Sequence, residues 1–335
     1  MKRIFRLIPL ILFGFSLAAC AVKPAASTAT EVSNTSDLAG PTSTDGLPTV
    51  VMATEAANPT PTPASYSGLI LFDSTRGGDY SNLYLMNSNG SQVTRLTNGD
   101  SNFFAGPLSP DGSKVLFTGF GPTNSYVGVM NADGTNPINL TNLPDSDDAD
   151  PVWSPDGQYI AFTSRRTGNN DVYMMKADGS NVVDLTNNPA DDFDPVWSPD
   201  GTHLAFVSDR DNQTGVYSIY LVSTDGSSVT RLLKDGGSDY SPAYSPDGKS
   251  IAYRFIDKGQ SDIYIVTLNG GETQNVTNTP SSDEWTPSWS PDGSSLAFQS
   301  NRDGNWEIYI SKNDGSDPIN ITNDRADDQR PYWHK

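Results

Sequence analysis

An all-β ring of six four-stranded blades, a β-propeller, is predicted by three features of the 335-residue sequence. Ser-Pro-Asp-Gly recurs at Ser109, Ser154, Ser198, Ser245 and Ser290, which spaces Asp111, Asp156, Asp200, Asp247 and Asp292 by 45, 44, 47 and 45 residues. A strand aromatic recurs six times, at Phe72, Phe117, Phe162, Phe206, Tyr253 and Phe298. An Asn/Asp-Gly type of turn also recurs six times, ending at Gly90, Gly134, Gly179, Gly226, Gly270 and Gly315. A period of this length belongs either to helical pairs or to four-stranded blades. The content of each copy is strand and turn, which selects the blade.

One copy shows how each element arises. Pro151-Val152-Trp153-Ser154 reads as a first strand, a, and Ile160-Ala161-Phe162 as a second, b, joined by the turn Pro155-Asp156-Gly157. Proline presets the first turn dihedral, aspartate caps the turn, and glycine takes the left-handed position that a side chain resists. Val172-Tyr173-Met174-Met175 is strand c, and Val183-Asp184-Leu185-Thr186 is strand d, with the hairpin signal Asp178-Gly179 between them.

The six copies are out of step with the chain ends. The copy starting at Leu69 has no strand a before it, and the chain finishes on Pro331-Tyr332-Trp333, a strand a with nothing after it. Pairing the last strand with the first copy closes the ring and removes the open edges that would template aggregation. The strand a aromatics Trp153, Trp197, Tyr244, Trp289 and Trp333, with Leu108 as the exception, are expected to pack between adjacent blades.

The pattern Pro-x-Trp-Ser-Pro-Asp-Gly, Ile-Ala-Phe-x-Ser-x-Arg, Ile-Tyr, Asp-Gly and Leu-Thr resembles the repeat of the TolB-type (PD40, WD40-like) propeller, found also in the propeller domains of prolyl oligopeptidase-like enzymes. The resemblance runs from about Ser67 to Lys335. It implies six blades with strand a nearest the axis and a recognition role. TolB carries an α/β domain ahead of its propeller and the peptidases a hydrolase domain; no counterpart of either is expected from this sequence.

Residues 1–19 read as a signal segment. Lys2, Arg3 and Arg6 flank an apolar stretch, Ile4 to Leu17, too short for a span of about 20 apolar residues. Leu17-Ala18-Ala19-Cys20 resembles a bacterial lipobox, which implies cleavage before Cys20 and its acylation. One acyl chain anchors marginally and several anchor stably, so a triacylated Cys20 would hold the chain permanently at a membrane. Cys20 is also the only cysteine, which excludes an internal disulfide. Residues 20–66 are rich in Ala, Ser, Thr and Pro, including Pro59-Thr60-Pro61-Thr62-Pro63, and read as a tether with a reach of roughly 40 Å. The expected location is outside the cytoplasm, at the cell envelope, with the propeller monomeric.

The formal charge is −19 over the whole sequence. Without the signal it is −22, from 18 basic against 40 acidic residues. Nucleic acid and anionic lipid surfaces are therefore poor partners, and no nucleic acid is expected. Strand alternation puts the minimal a–b and c–d turns on one face and the longer b–c and d–a loops on the other, where a rigid scaffold places binding groups. The d–a loops carry acids three residues before the strand a proline: Asp148, Asp192, Asp239, Glu284 and Asp328. Asp147, Asp150, Asp191, Asp194, Asp283 and Asp327 stand beside them. These acids are expected to ring the channel mouth.

Four blades also carry an arginine four residues after the strand b aromatic: Arg76, Arg166, Arg210 and Arg302. All four have the d–a acid. The blade with Gly121 in place of arginine has Phe104 in place of the acid, and only the blade with Asp257 breaks the rule by keeping Asp239. Arg–carboxylate pairing is thus expected for these acids. The neighbouring carboxylates are expected to stay uncompensated, a ring that would attract Ca²⁺ or a basic protein segment, since like charges about 4 Å apart repel by about 4 kcal/mol at an effective dielectric near 20.

Phe193, Tyr240 and Trp285 occupy one position in three consecutive d–a loops, with Phe103, Phe104 and Phe120 across the ring. Exposed aromatics beside acids suit a peptide or a sugar. A nucleophilic hydrolase is not visible: the histidines are His203 and His334, there is no Gly-x-Ser-x-Gly elbow, and Cys20 is assigned to lipidation. The sequence thus points to a non-catalytic binding module, without a required cofactor, for an envelope protein, peptide or glycan. The alternative is a carboxylate-based or metal-assisted hydrolase or lyase acting on polysaccharide.

Overall fold

The computed structural model describes residues 67–211, 215–233 and 236–335. The signal segment, Cys20 and the tether lie outside the described residues. Among the described residues there is no helix, and so none long and apolar enough to cross a membrane.

Six four-stranded antiparallel sheets form the ring, each running from strand a to strand d. Blade one joins Asp328–His334 to Leu69–Ser74, Asn82–Asn87 and Thr94–Arg95. Blade two is Phe103–Leu108, Lys114–Phe120, Ser125–Asn131 and Ile138–Asn139. Blade three is Asp148–Trp153, Tyr159–Ser164, Asp171–Lys176 and Val183–Asp184. Blade four is Asp192–Trp197, His203–Ser208, Ser218–Ser223 and Val229–Arg231. Blade five is Ser238–Tyr244, Ser250–Asp257, Gln260–Thr267 and Thr273–Asn275. Blade six is Glu284–Trp289, Ser295–Ser300, Glu307–Lys312 and Ile319–Asn320. The a strands of successive blades touch one another all the way round, so they line the axis.

The predicted closure is present. The last strand pairs antiparallel with the first, Trp333 opposite Ile70 and Asp328 opposite Ser74. Strand d is shorter than the sequence suggests, two or three residues in every blade. It is the outer edge, and a short edge strand presents few free backbone groups for another chain to pair with.

The core is six apolar clusters, each spanning two blades. Trp197 packs on Ala161, Val172 and Leu185 of blade three, and Trp289 on Ala252, Ile263 and Val276 of blade five. Trp333 lies against Ala297, Ile308 and Ile310 of blade six, and Leu108 takes the same place against Leu71 and Leu83 of blade one. The a–b turns hold as expected: Ser198 Oγ donates to Asp200 Oδ1 at 2.6 Å, the Thr202 N–H donates to the same oxygen, and Gly201 sits at φ 71°. Those donors pull the exposed Asp200 carboxyl down to about 2.

Every strand a carries a bulge where the register with strand b shifts. In five blades the residue before the strand a proline is left-handed: Asp150, Asp194, Ser241, Thr286 and Arg330, at φ 47–52°. A bulge tolerates the proline that a regular ladder would exclude, and it rotates the preceding side chain off the sheet. Blade two has Gly106 there, where a Cβ would meet Leu116 O at 3.0 Å and Pro151 O at 3.2 Å.

Candidate functional site: the channel mouth

The d–a acids are buried, not displayed. Asp148, Asp192, Asp239, Glu284 and Asp328 are each at most 1% exposed. Four of them close the clamp that the internal comparison predicts: Arg166 to Asp148 at 3.3 Å, Arg210 to Asp192 at 2.8 Å, Arg302 to Glu284 at 3.3 Å and Arg76 to Asp328 at 2.6 Å. The same arginine uses its Nε on the serine that ends strand b, as Arg166 does on Ser164 at 2.8 Å. It also lies over two rings of its blade, Arg166 being 5.2 Å from the Phe162 centroid and 4.6 Å from that of Tyr173. Burial pushes the Asp328 carboxyl up to about 6 against the pull of Arg76.

Four of the neighbouring carboxylates find backbone donors. Asp147, Asp191, Asp283 and Asp327 accept the backbone N–H of Ser125, Asn170, Ser261 and Trp306 in the preceding blade, at 3.0 to 3.1 Å. Each caps a b–c loop of the preceding blade, Asp147 while still exposed to solvent and the other three half-buried. The physical reason is that an N–H at the start of strand c lies beyond the reach of the short strand d and needs another acceptor. Among the described residues no group of three or more His, Cys, Asp or Glu is arranged to hold a metal ion.

What does face the axis is the set of left-handed bulge residues. Arg330 and Asp150, two blades apart, act on each other electrostatically, as do Asp150 and Asp194, and all three act on the buried Tyr332 hydroxyl. Side chains from blades one, three and four thus converge on the channel. Arg330 pairs with Asp73 at 2.9 Å and stacks on Phe104 at 3.7 Å. Its backbone N–H donates to Gln299 Oε1, whose other donor is Thr286 Oγ1. Thr163 donates to Asp150, and Ser241 donates both its N–H and its hydroxyl to Asp194. Burial pushes both carboxyls up, that of Asp194 to about 7, with the Asp150 charge as a second cause.

The predicted aromatics are half-buried around this channel. Phe193, Tyr217 and Tyr240 form a triangle with centroids 5.2, 5.5 and 6.2 Å apart. Trp285 stacks on Trp306 at 4.6 Å and donates its indole N–H to Ser261 Oγ at 2.9 Å. Phe104 and Phe120 pack at 4.7 Å on the far side. Between the two near clusters lies Arg254, 4.0 Å from the Trp285 centroid and 5.5 Å from that of Tyr240. Sequence reasoning missed Arg254, Arg330, Tyr217 and Trp306. A signal for Arg254 exists: the residue after the strand b aromatic is Asp73, Thr118, Thr163, Val207 or Gln299 in the other blades, and a cation only in blade five.

Blade five is irregular at its rim as well. A cleft of about 350 Å³, lined by Phe255, Asp257, Lys258, Gln260, Asp262, Tyr264, Asn278 and Pro280, opens where four of the other blades carry the clamp arginine.

Fold and clamps together define a six-bladed propeller built from repeats, four of which tie the b–c loop to its own strand a. The family model of PD40, the TolB beta propeller domain, matches residues 104–241 and 232–335, and the chain belongs to that family. Among curated proteins nothing matches the sequence. Of solved structures, TolB from Acinetobacter baumannii is 24% identical with a TM-score of 0.70, over 82% of this chain and 68% of that one. A putative TolB from Agrobacterium tumefaciens is 23% identical with a TM-score of 0.61, over 77% and 89%. An oligogalacturonate lyase in complex with manganese is 16% identical with a TM-score of 0.53, over 76% and 73%. At these identities the likeness is one of fold.

Proposed function

We infer that the chain is a non-catalytic binding module, held at the outside of a bacterial membrane through a lipidated Cys20, that takes a segment of an envelope protein or peptide at its channel mouth. The observation that carries this reading is the half-buried aromatic arc of Phe193, Tyr217, Tyr240, Trp285 and Trp306 on the loop face. Large rings that are neither fully packed nor scattered singly are the usual anchors of an interface. The carboxylates Asp148, Asp192, Asp239, Glu284 and Asp328 would serve by holding the loops that carry the rings, and Asp283 and Asp327 by capping them.

The test is capture of partners from detergent-solubilised envelopes by the full chain. Tyr240→Ala with Trp285→Ala should abolish capture while shifting the melting temperature little. Loss of capture that merely tracks unfolding would end the reading. In the same cells Cys20→Ser should move the chain from the membrane pellet to the soluble fraction.

A second reading, acid–base attack on a polysaccharide, is favoured by one observation, the adjacent axial carboxyls Asp150 and Asp194, one of which titrates near neutrality. It has the support of a fold shared with an oligogalacturonate lyase. Turnover of oligogalacturonate that disappears in Asp194→Asn would replace the binding reading with this one.

A further inference from the structure

We propose that Arg254 is an anion subsite at the channel mouth that receives a single carboxylate of the bound segment, a chain-terminal carboxylate or an acidic side chain next to an aromatic residue. The proposal deepens the binding reading above and rests on it. Of the half-buried arginines among the described residues, Arg76, Arg166, Arg210, Arg231, Arg302 and Arg330 each reach a carboxylate. Arg254 does not, and its Nε is enclosed with no acceptor. Burial lowers its pKa to about 10, so the charge persists at neutral pH. Tyr240, Asp283 and Asp194 act on it from a distance; one oxygen of each carboxylate, Asp194 Oδ2 and Asp283 Oδ1, accepts from Ser241 and Ser261.

A guanidinium centred over an indole contacts the ring through its π-face and leaves N–H donors for a carboxylate acceptor. An enclosed donor without an acceptor is a standing penalty that an incoming oxygen removes. The Trp285 and Tyr240 rings that position the fork also provide the apolar surface for the neighbouring residue of the ligand. One unpaired cation serves one carboxylate. A uronate polymer would bring a charge on every sugar to a chain with 40 acidic residues and find its other mouth arginines, Arg76, Arg166, Arg210, Arg302 and Arg330, committed. A peptide therefore fits better than a polyanionic glycan.

The experiment uses the full chain in detergent with three probes: N-acetyl-glycyl-phenylalanine as the free acid, its amide, and trigalacturonate. The readouts are calorimetric affinity and the Arg254 Nε–H resonance, assigned by its absence in Arg254→Gln. The acid should bind at least about tenfold more tightly than the amide and shift that resonance. Arg254→Gln should remove the tenfold preference while leaving the melting temperature unchanged or higher, since it deletes an unpaired buried charge. Arg254→Lys, which keeps the charge and loses the fork, should fall between. Should the glutamine variant not fold, the lysine variant decides. Equal binding of acid and amide, binding of neither, or an acid preference that survives in both variants overturns the subsite, and an Arg254-dependent preference for trigalacturonate overturns the peptide assignment. Capture of envelope partners that survives Arg254→Gln but fails in the Tyr240/Trp285 variant would refute this proposal alone, whereas capture indifferent to both would refute the binding reading beneath it.

Discussion

At the scale of single residues, the same chemical group does opposite jobs according to where the bulge in strand a puts it. Asp148 and Asp150 are two residues apart; the first is buried against Arg166, and the second, left-handed, reaches the axis. Removing one partner of a buried ion pair leaves an uncompensated charge and costs about 3 to 5 kcal/mol, whereas replacing both costs less. Arg166→Ala should therefore lower stability by about 3 to 5 kcal/mol in urea unfolding, and Asp148→Ala added to it should recover part of the loss. A double variant as unstable as the sum of the singles would show that the pair is not coupled. Asp194 gives a prediction of opposite sign in pH. Its carboxyl binds a proton more tightly in the folded chain, near 7, than at its ordinary value of 3.8, so the folded chain holds more protons between those values and stability falls as pH rises through them. Asp194→Asn, which keeps an acceptor for Ser241, should flatten this decline, by up to about 4 kcal/mol between pH 4 and pH 7. A decline of unchanged size in the variant would assign it to other carboxyls. The clamps were legible in the sequence because six copies in one chain supply their own comparison: Gly121 and Phe104 change together. Of the axial set, Asp150 and Asp194 were among the acids expected at the mouth, whereas Arg330 was not, because which residue of Asp-Ala-Asp-Pro faces the axis depends on a backbone bulge that spacing alone does not reveal.

At the scale of the element, strand a is the part of the blade that carries both ring closure and site. Its proline forces the bulge, the bulge turns the preceding residue to the axis, and the residue after the buried acid becomes the mouth aromatic in blades four to six: Phe193, Tyr240 and Trp285. Acid and ring are consecutive and pair regularly with strand b ahead of the bulge, so alternation sends them to opposite sides of the sheet. The bulge N–H then needs an acceptor from the neighbouring blade, and different blades solve this differently. Thr118 serves Asp150, Gln299 serves Arg330, and Asp194 itself serves Ser241, where strand b of blade four offers only Val207. This variation explains why the existence and order of strands could be read from turn signals while their inward contacts could not. Turn chemistry is local and repeats, whereas the acceptor for a bulge is supplied one blade away and differs at each step. Strand d, expected as four residues from Val183 to Thr186, contracts to Val183–Asp184 for the same reason in reverse: nothing packs outside it.

At the scale of the whole molecule, the ring is a circular stack in which each blade is buried only by its two neighbours, so the seam in blade one decides whether it behaves as a ring or as an open row. The seam is a single strand, Asp328–His334, and it carries three kinds of linkage. Trp333 packs on Ala297, Ile308 and Ile310 and donates its indole N–H to Ser67 O at 3.0 Å, Asp328 receives Arg76, and Arg330 reaches Asp73. Trp333→Ala should therefore cost about 3 to 5 kcal/mol from lost packing. It should also do something that the equivalent change in blade three, Trp153→Ala, does not: weaken the contact that makes unfolding of all six blades concerted. The measurement is native-state hydrogen exchange. In the Trp153 variant the amides of all blades should lose protection by a similar amount, because the ring still opens as one unit. In the Trp333 variant the amides of Leu69–Ser74 and Asn82–Asn87 should exchange ahead of blades three to five, the signature of a row fraying from its freed end. Uniform loss of protection in both variants would show that the seam is no weaker than any other junction, and that closure by the last strand binds the ring as tightly as an unbroken blade does.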